Sequence, residues 1–243
     1  MAAISLIQAS NQYLVCDATP DMNLPYTAAM WVYFRAGNSY IFELTVAANN
    51  NYDIVRFDTS ERLRLYTLDS GTPISDSGAT TGITGWHHIA VIRSGDGGNE
   101  LSLYLDFVLE CNVTNAADVS LRAAADRFSI GQSRQSASTG NEDHAGWKFW
   151  QAELTIAEVQ REAIAYKAFR RADLFGEWDF SDASLTDKSG NGRDWTATNS
   201  PLPAEGPGIA WTKPQYLFHE DNIFIGGSVN EVLNLLITPI NLY

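Results

Sequence analysis

The chain has 243 residues and a formal net charge of −13, with 19% charged and 45% hydrophobic residues. That balance supports one packed domain and excludes a disordered chain, and an acidic surface of this kind repels phosphates, which excludes nucleic acid as a partner. No run approaches the ~20 apolar residues of a membrane span.

The first residues, Met1 to Gln8, have no basic head and a short apolar run, so they do not read as a secretory signal. Cys16 and Cys111 are too few for a disulfide scaffold. They read as buried thiols, with a single bridge left open as the alternative. The segments 28–34, 39–47 and 51–58 are short runs rich in Tyr, Trp, Phe, Ile and Val, and each is expected to be a strand. Arg62-Leu63-Arg64-Leu65 alternates with period two, and 86–93 and 126–132 are further strands. The clearest alternation runs through 101–113, where Leu101, Leu103, Leu105, Phe107, Leu109, Cys111 and Val113 share one parity, which predicts a single strand with one buried face. Asn49-Asn50-Asn51, Asp69-Ser70-Gly71 and 94–99 are turn signals between them. This spacing predicts an all-β antiparallel sandwich.

Thr155-Ile156-Ala157-Glu158 is a capping box, and Ile156, Val159, Ala163 and Tyr166 recur at helical spacing. They predict one helix over about 156–171, lying over an edge or open end of the sandwich. A strand is expected at 176–182, and a tight turn at Asp187-Lys188-Ser189-Gly190-Asn191-Gly192. Residues 199–214 read as extended and irregular, and 215–243 are mostly apolar with no Lys or Arg. The expected organisation is therefore a sandwich over 1–200 and an extended C-terminal arm over 201–243.

The order of motifs carries a resemblance. The stretch from Asn11 to Val15, then Met22-Asn23-Leu24, then Tyr26 to Tyr33 resembles the opening of a laminin-G-like, concanavalin A-like jelly roll. Gly85-Trp86-His87-His88-Ile89-Ala90-Val91 is similar to that family's central Trp-His strand. Leu103-Tyr104-Leu105-Asp106 is similar to its hairpin, with Phe107 where Gly is usual. Phe128-Ser129-Ile130-Gly131, the run from Gly146 to Val159, and Gly176 to Phe180 with the 187–192 turn complete the series, which covers roughly residues 4–199. The resemblance implies a two-sheet jelly roll that hosts binders, enzymes and structural proteins alike, so function has to come from the site.

Retaining glycosidases of this fold place two acids on one strand. The chain has no such pattern: Glu43 stands alone in Ile-Phe-Glu-Leu, and Glu142-Asp143-His144 sits in polar sequence. There is no nucleophile motif. His87 and His88 are neighbours on a strand and point to opposite faces, so they do not chelate one metal together. The chain is thus expected not to be an enzyme and to need no cofactor, with Ca²⁺ as the one ion to consider. The resembled family often binds Ca²⁺ at its rim, and Asp187 and Asn191 flank a turn that offers oxygen ligands, unless Asp187 instead caps the turn's own amides. Trp147 and Trp150 are candidates for stacking on a glycan, with Asn141 and Asp143 from the polar stretch 134–144, read as a binding loop, as hydrogen-bonding partners. The alternative puts both Trp residues in the core.

The arm, with Phe224, Ile225, Leu233, Leu236, Ile240 and Tyr243, reads either as extra strands of its own sheet or as a segment that docks on neighbouring subunits. The resembled family works outside cells, whereas this chain reads as lacking a secretion signal. A phage particle, assembled in host cytoplasm, reconciles the two. The expectation is a virion surface protein, a capsid decoration or tail component, that contacts copies of itself or other virion proteins and binds cell-surface glycan. The alternatives are a lectin-like carbohydrate-binding module and a glycoside hydrolase.

Overall fold

The structure, a computed structural model, describes residues 2–46, 51–68, 73–94, 100–114, 125–134, 136–209, 218–219 and 222–223. The strands are β1 (Ala2–Ser5), β2 (Tyr13–Cys16), β3 (Tyr26–Phe34), β4 (Ser39–Val46), β5 (Asn51–Phe57), β6 (Leu63–Leu68), β7 (Ile74–Ser77), β8 (Gly85–Arg93), β9 (Glu100–Leu105) and β10 (Val108–Thr114). They continue with β11 (Arg127–Ile130), β12 (Gln132–Ser133), β13 (Ser136–Thr139), β14 (Glu142–Trp150), β15 (Leu174–Trp178), β16 (Trp195–Thr198), β17 (Leu202–Glu205), β18 (Phe218–His219) and β19 (Asn222–Ile223). Among the described residues one α-helix, α1, spans Ile156–Ala163.

Two antiparallel sheets stack as a sandwich. The first has the order β10-β9-β8-β3-β14-β1-β17, with β15 also paired to β14, and the second has the order β16-β2-β11-β4-β5-β6-β7. The small hairpins β12–β13 and β18–β19 are ladders of their own, paired to neither sheet. The all-β jelly-roll expectation holds. Between the sheets, alternate residues of each strand interdigitate. Phe128 lies at the centre of an aromatic cluster, with its ring centroid 4.6 Å from Trp195, 5.4 Å from Phe149, 5.7 Å from Phe42 and 6.0 Å from Trp147.

Four features differ from the sequence reading. The expected strand 101–113 is a hairpin: Asp106 and Phe107 both have positive φ (48° and 70°) and form a two-residue turn. A two-residue turn pairs odd with even positions, as in Leu105 with Val108, and would have put the odd residues of one arm outside. A bulge at Glu110 resets the register, so Leu103 faces Cys111 and Leu101 faces Val113. The alternation therefore survives the turn and conceals it, while Leu109 is exposed. The helix ends at Ala163, eight residues early. The Lys148 ammonium donates to the carbonyls of Glu162 (2.7 Å) and Ala165 (2.8 Å), and the Glu162 carboxylate accepts from the amides of Phe169 and Arg170, so side chains take over the polar groups that further helix would have paired. Tyr166, expected on the helix's apolar stripe, is exposed. The strand expected at 176–182 is β15 and stops at Trp178, because Phe180 takes a left-handed conformation (φ 51°) and a 3-10 turn follows. Finally, β17 pairs with β1 from Ala2–Glu205 to Ser5–Leu202, which carries the sandwich past residue 200.

Candidate functional site

Most of the residues singled out from sequence are structural. Trp147 and Trp150 are both 0% exposed, so neither stacks on a glycan. Trp147 lies in the aromatic core and its indole N–H donates to His144 Nδ1 (3.2 Å). Trp150, on the other face of β14, lies under the helix and donates to the Arg170 carbonyl (2.8 Å). The stretch 134–144 is no long loop, because β13 and the start of β14 occupy most of it. Asn141 sits at the rim and donates to the Ala36 carbonyl. Asp143 is buried and ion-paired to Arg35 (2.5 Å), whose guanidinium lies 5.6 Å from the Tyr33 ring.

The 187–192 turn does not fit a calcium ion. Asp187 accepts from the amides of Glu177 (3.0 Å), Ser189 (2.8 Å) and Arg193 (3.2 Å) and from the Ser189 hydroxyl (2.7 Å). The Asn191 amide donates to the carbonyls of Leu174 and Phe175. Both side chains serve the turn, as an Asx-type cap does. Among the described residues no group of three or more His, Cys, Asp or Glu is placed to hold a metal. The arm positions Phe224, Ile225, Leu233, Leu236, Ile240 and Tyr243 lie outside the described residues. His87 and His88 do point to opposite faces. His87 meets Asp106 (2.7 Å), while His88 is buried against Trp31 and Phe107.

The outer faces of the two sheets differ. That of the first sheet is roofed. Val159 of α1, together with Leu154, Ala168 and Leu174, packs onto Ala29, Ala90, Ile92 and Trp150. Beyond the roof a row runs through Ser5, Asp143, Tyr33 and Trp86 in register across β1, β14, β3 and β8; Ser5 and Asp143 are buried in it, and Tyr33 and Trp86 are its accessible end. There Tyr33 and Trp86 meet edge to face at 5.6 Å.

Among the described residues the outer face of the second sheet carries no helix. Alternation along β5 and β6 turns Asp53, Val55, Phe57, Leu63 and Leu65 inward and Tyr52, Ile54, Arg56, Arg64 and Tyr66 outward. Tyr40 and Glu43 join them from β4, and Tyr13 and Arg127 from β2 and β11. Guanidinium and ring alternate over this surface: Arg64 lies 5.2 Å from the Tyr66 ring, Arg56 5.6 Å from Tyr40, and Arg127 5.7 Å from Tyr13. Such stacking holds Arg in place while leaving its N–H edges free. The β12–β13 hairpin crosses this face beside β4, where the Arg134 amide donates to both Glu43 oxygens (3.0 Å). Burial pushes the Glu43 carboxyl above its ordinary range, against the opposing pull of hydrogen bonds from Ser133 and Arg134. Burial likewise raises the Tyr52 phenol, helped by Tyr66, Tyr40 and Glu43 close by.

This face was missed in the sequence because its residues are spread over five strands. The signal was present in short form: in Tyr52-Asp53-Ile54-Val55-Arg56 and Arg64-Leu65-Tyr66 the aromatic and cationic residues share one parity.

A family profile described as the concanavalin A-like lectin/glucanases superfamily matches residues 8–160, well over half the chain. The chain belongs to that superfamily, in its laminin-G branch. No curated protein sequence matches it. Among solved structures it is similar to the heptameric SAP-like pentraxin of Limulus polyphemus, with a TM-score of 0.61 at 13% identity over 83% of this chain and 94% of that one. It is similar too to a Bacteroides ovatus protein described as carbohydrate-binding, with a TM-score of 0.62 at 14% identity over 87% of this chain and 62% of that one. The mouse laminin alpha1 domains LG4-5 give a TM-score of 0.51 at 12% identity over 63% of this chain and 43% of theirs. At these identities the likeness is one of fold.

Proposed function

We propose that the chain is a non-catalytic carbohydrate-binding module that takes its ligand on the outer face of the second sheet. The observation that carries this reading is the contrast between the sheets. One outer face is roofed by α1 and the segment after it, while the other presents Tyr52 and Tyr66 among guanidiniums, with Tyr40 buried under Arg56. Aromatic rings offer a sugar its flat apolar face, and side-chain donors beside them take its hydroxyls. The membership in a superfamily of lectins and glucanases, and the similar fold of the Bacteroides protein described as carbohydrate-binding, support the same reading.

Hydrolysis has less support. A glycosidase needs two carboxylates flanking the bond. Glu43, the acid on this face, is 0% exposed and is held by the hairpin's backbone. The virion reading has no support in the family or in the similar folds, and its arm lies outside the described residues. The test is a glycan array probed with the full chain, with and without EDTA, followed by the variant Tyr52→Ala/Tyr66→Ala. Binding that survives EDTA and is lost in the variant is the expected result. Retention by no glycan, or binding untouched by the variant and lost instead in Tyr33→Ala/Trp86→Ala, would overturn it.

A further inference from the structure

Arg56 and Arg64 stand directly opposite each other across β5 and β6, both on the outer face of the second sheet. Like charges at directly opposed positions, with Cβ atoms ~5 Å apart, destabilise a sheet unless something neutralises them. Among the described residues the fold supplies no neutraliser. Neither guanidinium makes an ion pair there, although the chain has 29 acids against 16 Lys and Arg. Arg35, Arg62, Arg93, Arg134, Arg170 and Arg171 all have carboxylate partners.

The two side chains are also held. Arg56 donates from Nε to Asn38 Oδ1 (2.5 Å) and lies over Tyr40, and Arg64 lies over Tyr66. The Arg64 guanidinium donates no hydrogen bond among the described residues, and its Nε is buried without a partner. Across the next pairing, Ser77 of β7 faces Arg64 and extends the row with a small polar side chain. Two pinned guanidiniums with free N–H edges, side by side and without a carboxylate between them, form a fork for an oxyanion.

We infer that Arg56 and Arg64 form the subsite for an anionic group, a carboxylate or sulfate ester, of an acidic saccharide. The inference rests on the reading of this face as a sugar site and names the ligand class for it. The tyrosines would take the ring, and the arginine pair its charged substituent. On a chain of net charge −13, only a local cationic patch of this kind makes an acidic ligand acceptable.

The experiment is calorimetric titration of the full chain with three oligosaccharides of matched length: a neutral glucan, a polygalacturonate and a heparin fragment. Either acidic probe should bind at least about tenfold more tightly than the neutral one in low salt, and the advantage should shrink as salt rises. Arg56→Gln and Arg64→Gln should each remove that preference, bringing the acidic probes down to the affinity of the neutral one. Because each change relieves a like-charge contact, the melting temperature should hold or rise, whereas a purely structural role predicts a fall. Arg64→Lys, which keeps the charge and loses the fork, should fall between. Equal binding of neutral and acidic probes, or an acidic preference that survives both Gln variants, overturns the subsite and leaves the sugar face standing. Binding of none of the three, with no glycan retained on the array, overturns the sugar face and the subsite with it.

Discussion

Arg93 of β8 and Asp53 of β5 meet across the core, one from each sheet, at 2.6 and 3.2 Å, with side chains 1% and 0% exposed. The carboxylate also accepts from the Tyr26 hydroxyl (3.0 Å) and the Thr67 hydroxyl (2.7 Å), so the buried charge is fully coordinated. Removing one partner leaves the other charged and unpaired in a dry interior, at a cost of about 3–5 kcal/mol. Replacing both by apolar residues avoids that cost. Asp53→Ala should therefore lower unfolding stability in urea by about 3–5 kcal/mol, and Asp53→Leu/Arg93→Met by much less than the two single changes added together. Additive losses would show that the two groups act independently.

His88 makes the stability depend on pH. Its ring is stacked on Phe107 (centroids 4.8 Å apart) and set edge-on to Trp31 (5.2 Å), and its Nδ1 has no hydrogen-bond partner among the described residues. Burial, aided by the Lys148 charge and opposed by Asp106, pushes its pKa down to about 3. The unfolded imidazole titrates near 6.5, so below that pH the unfolded chain binds a proton that the folded chain refuses. The stability from neutral His88 is full above about pH 6.5 and is lost as pH falls toward 3. Each tenfold difference in proton affinity between the unfolded and folded chain is worth ~1.4 kcal/mol, so the full loss is on the order of 5 kcal/mol. His88→Leu should be flatter than the parent over this window in denaturant midpoints taken from pH 7 to pH 3.5. Parallel curves would exclude His88 as the cause.

The fold was legible because both sheets are built from short alternating runs whose inward residues are aliphatic or aromatic, and this survives local irregularity. The turn at Asp106 and Phe107 was not legible, because the bulge at Glu110 restores the parity that a hairpin would break. The end of α1 was hidden for a related reason: what stops it is Lys148, a residue of a different element. The site was misread where burial decides the matter. Trp147 and Trp150 occupy opposite faces of one strand, as alternation requires, but the roof over the first sheet closes the outer face as fully as the core closes the inner one. No local pattern announces a roof, since it forms only when residues 154–168 fold back on the sheet.

That roof depends on one buried lysine. Lys148 is 3% exposed at its side chain and bonds Glu162 Oε2 (3.3 Å) as well as the carbonyls of Glu162, in the last turn of α1, and Ala165, just beyond it. Burial lowers its pKa, and the facing carboxylates of Glu162 and Glu177 oppose that fall. Lys148→Met keeps the length of the stem and leaves Glu162 buried without its cation, a loss expected to be about 3–5 kcal/mol. Amide exchange at Ala168, Phe169 and Arg170, whose N–H groups are held by Glu162 and Glu177, should accelerate before that of β4 and β5. Uniform acceleration across both sheets would show that the roof does not open separately.

The two cysteines are expected to be chemically silent in the folded chain. Cys16 lies on β2 of the second sheet and Cys111 on β10 at the edge of the first, and both are buried free thiols. The Cys16 thiol points to the Arg193 carbonyl (3.7 Å) and the Cys111 thiol to that of Leu63 (3.6 Å). Burial is the main cause that pushes both thiols up to about 12, with nearby acids adding to it. At pH 8 the reactive thiolate is then on the order of one part in ten thousand, against roughly a quarter for a free cysteine. Ellman's reagent at pH 8 should therefore report no thiol in the native protein and two after unfolding, with native labelling limited by the unfolding rate. Adding a reductant should leave the melting temperature unchanged, because no bridge joins the pair. Rapid labelling of either cysteine in the folded protein would place it on an accessible surface and contradict its position in the sandwich.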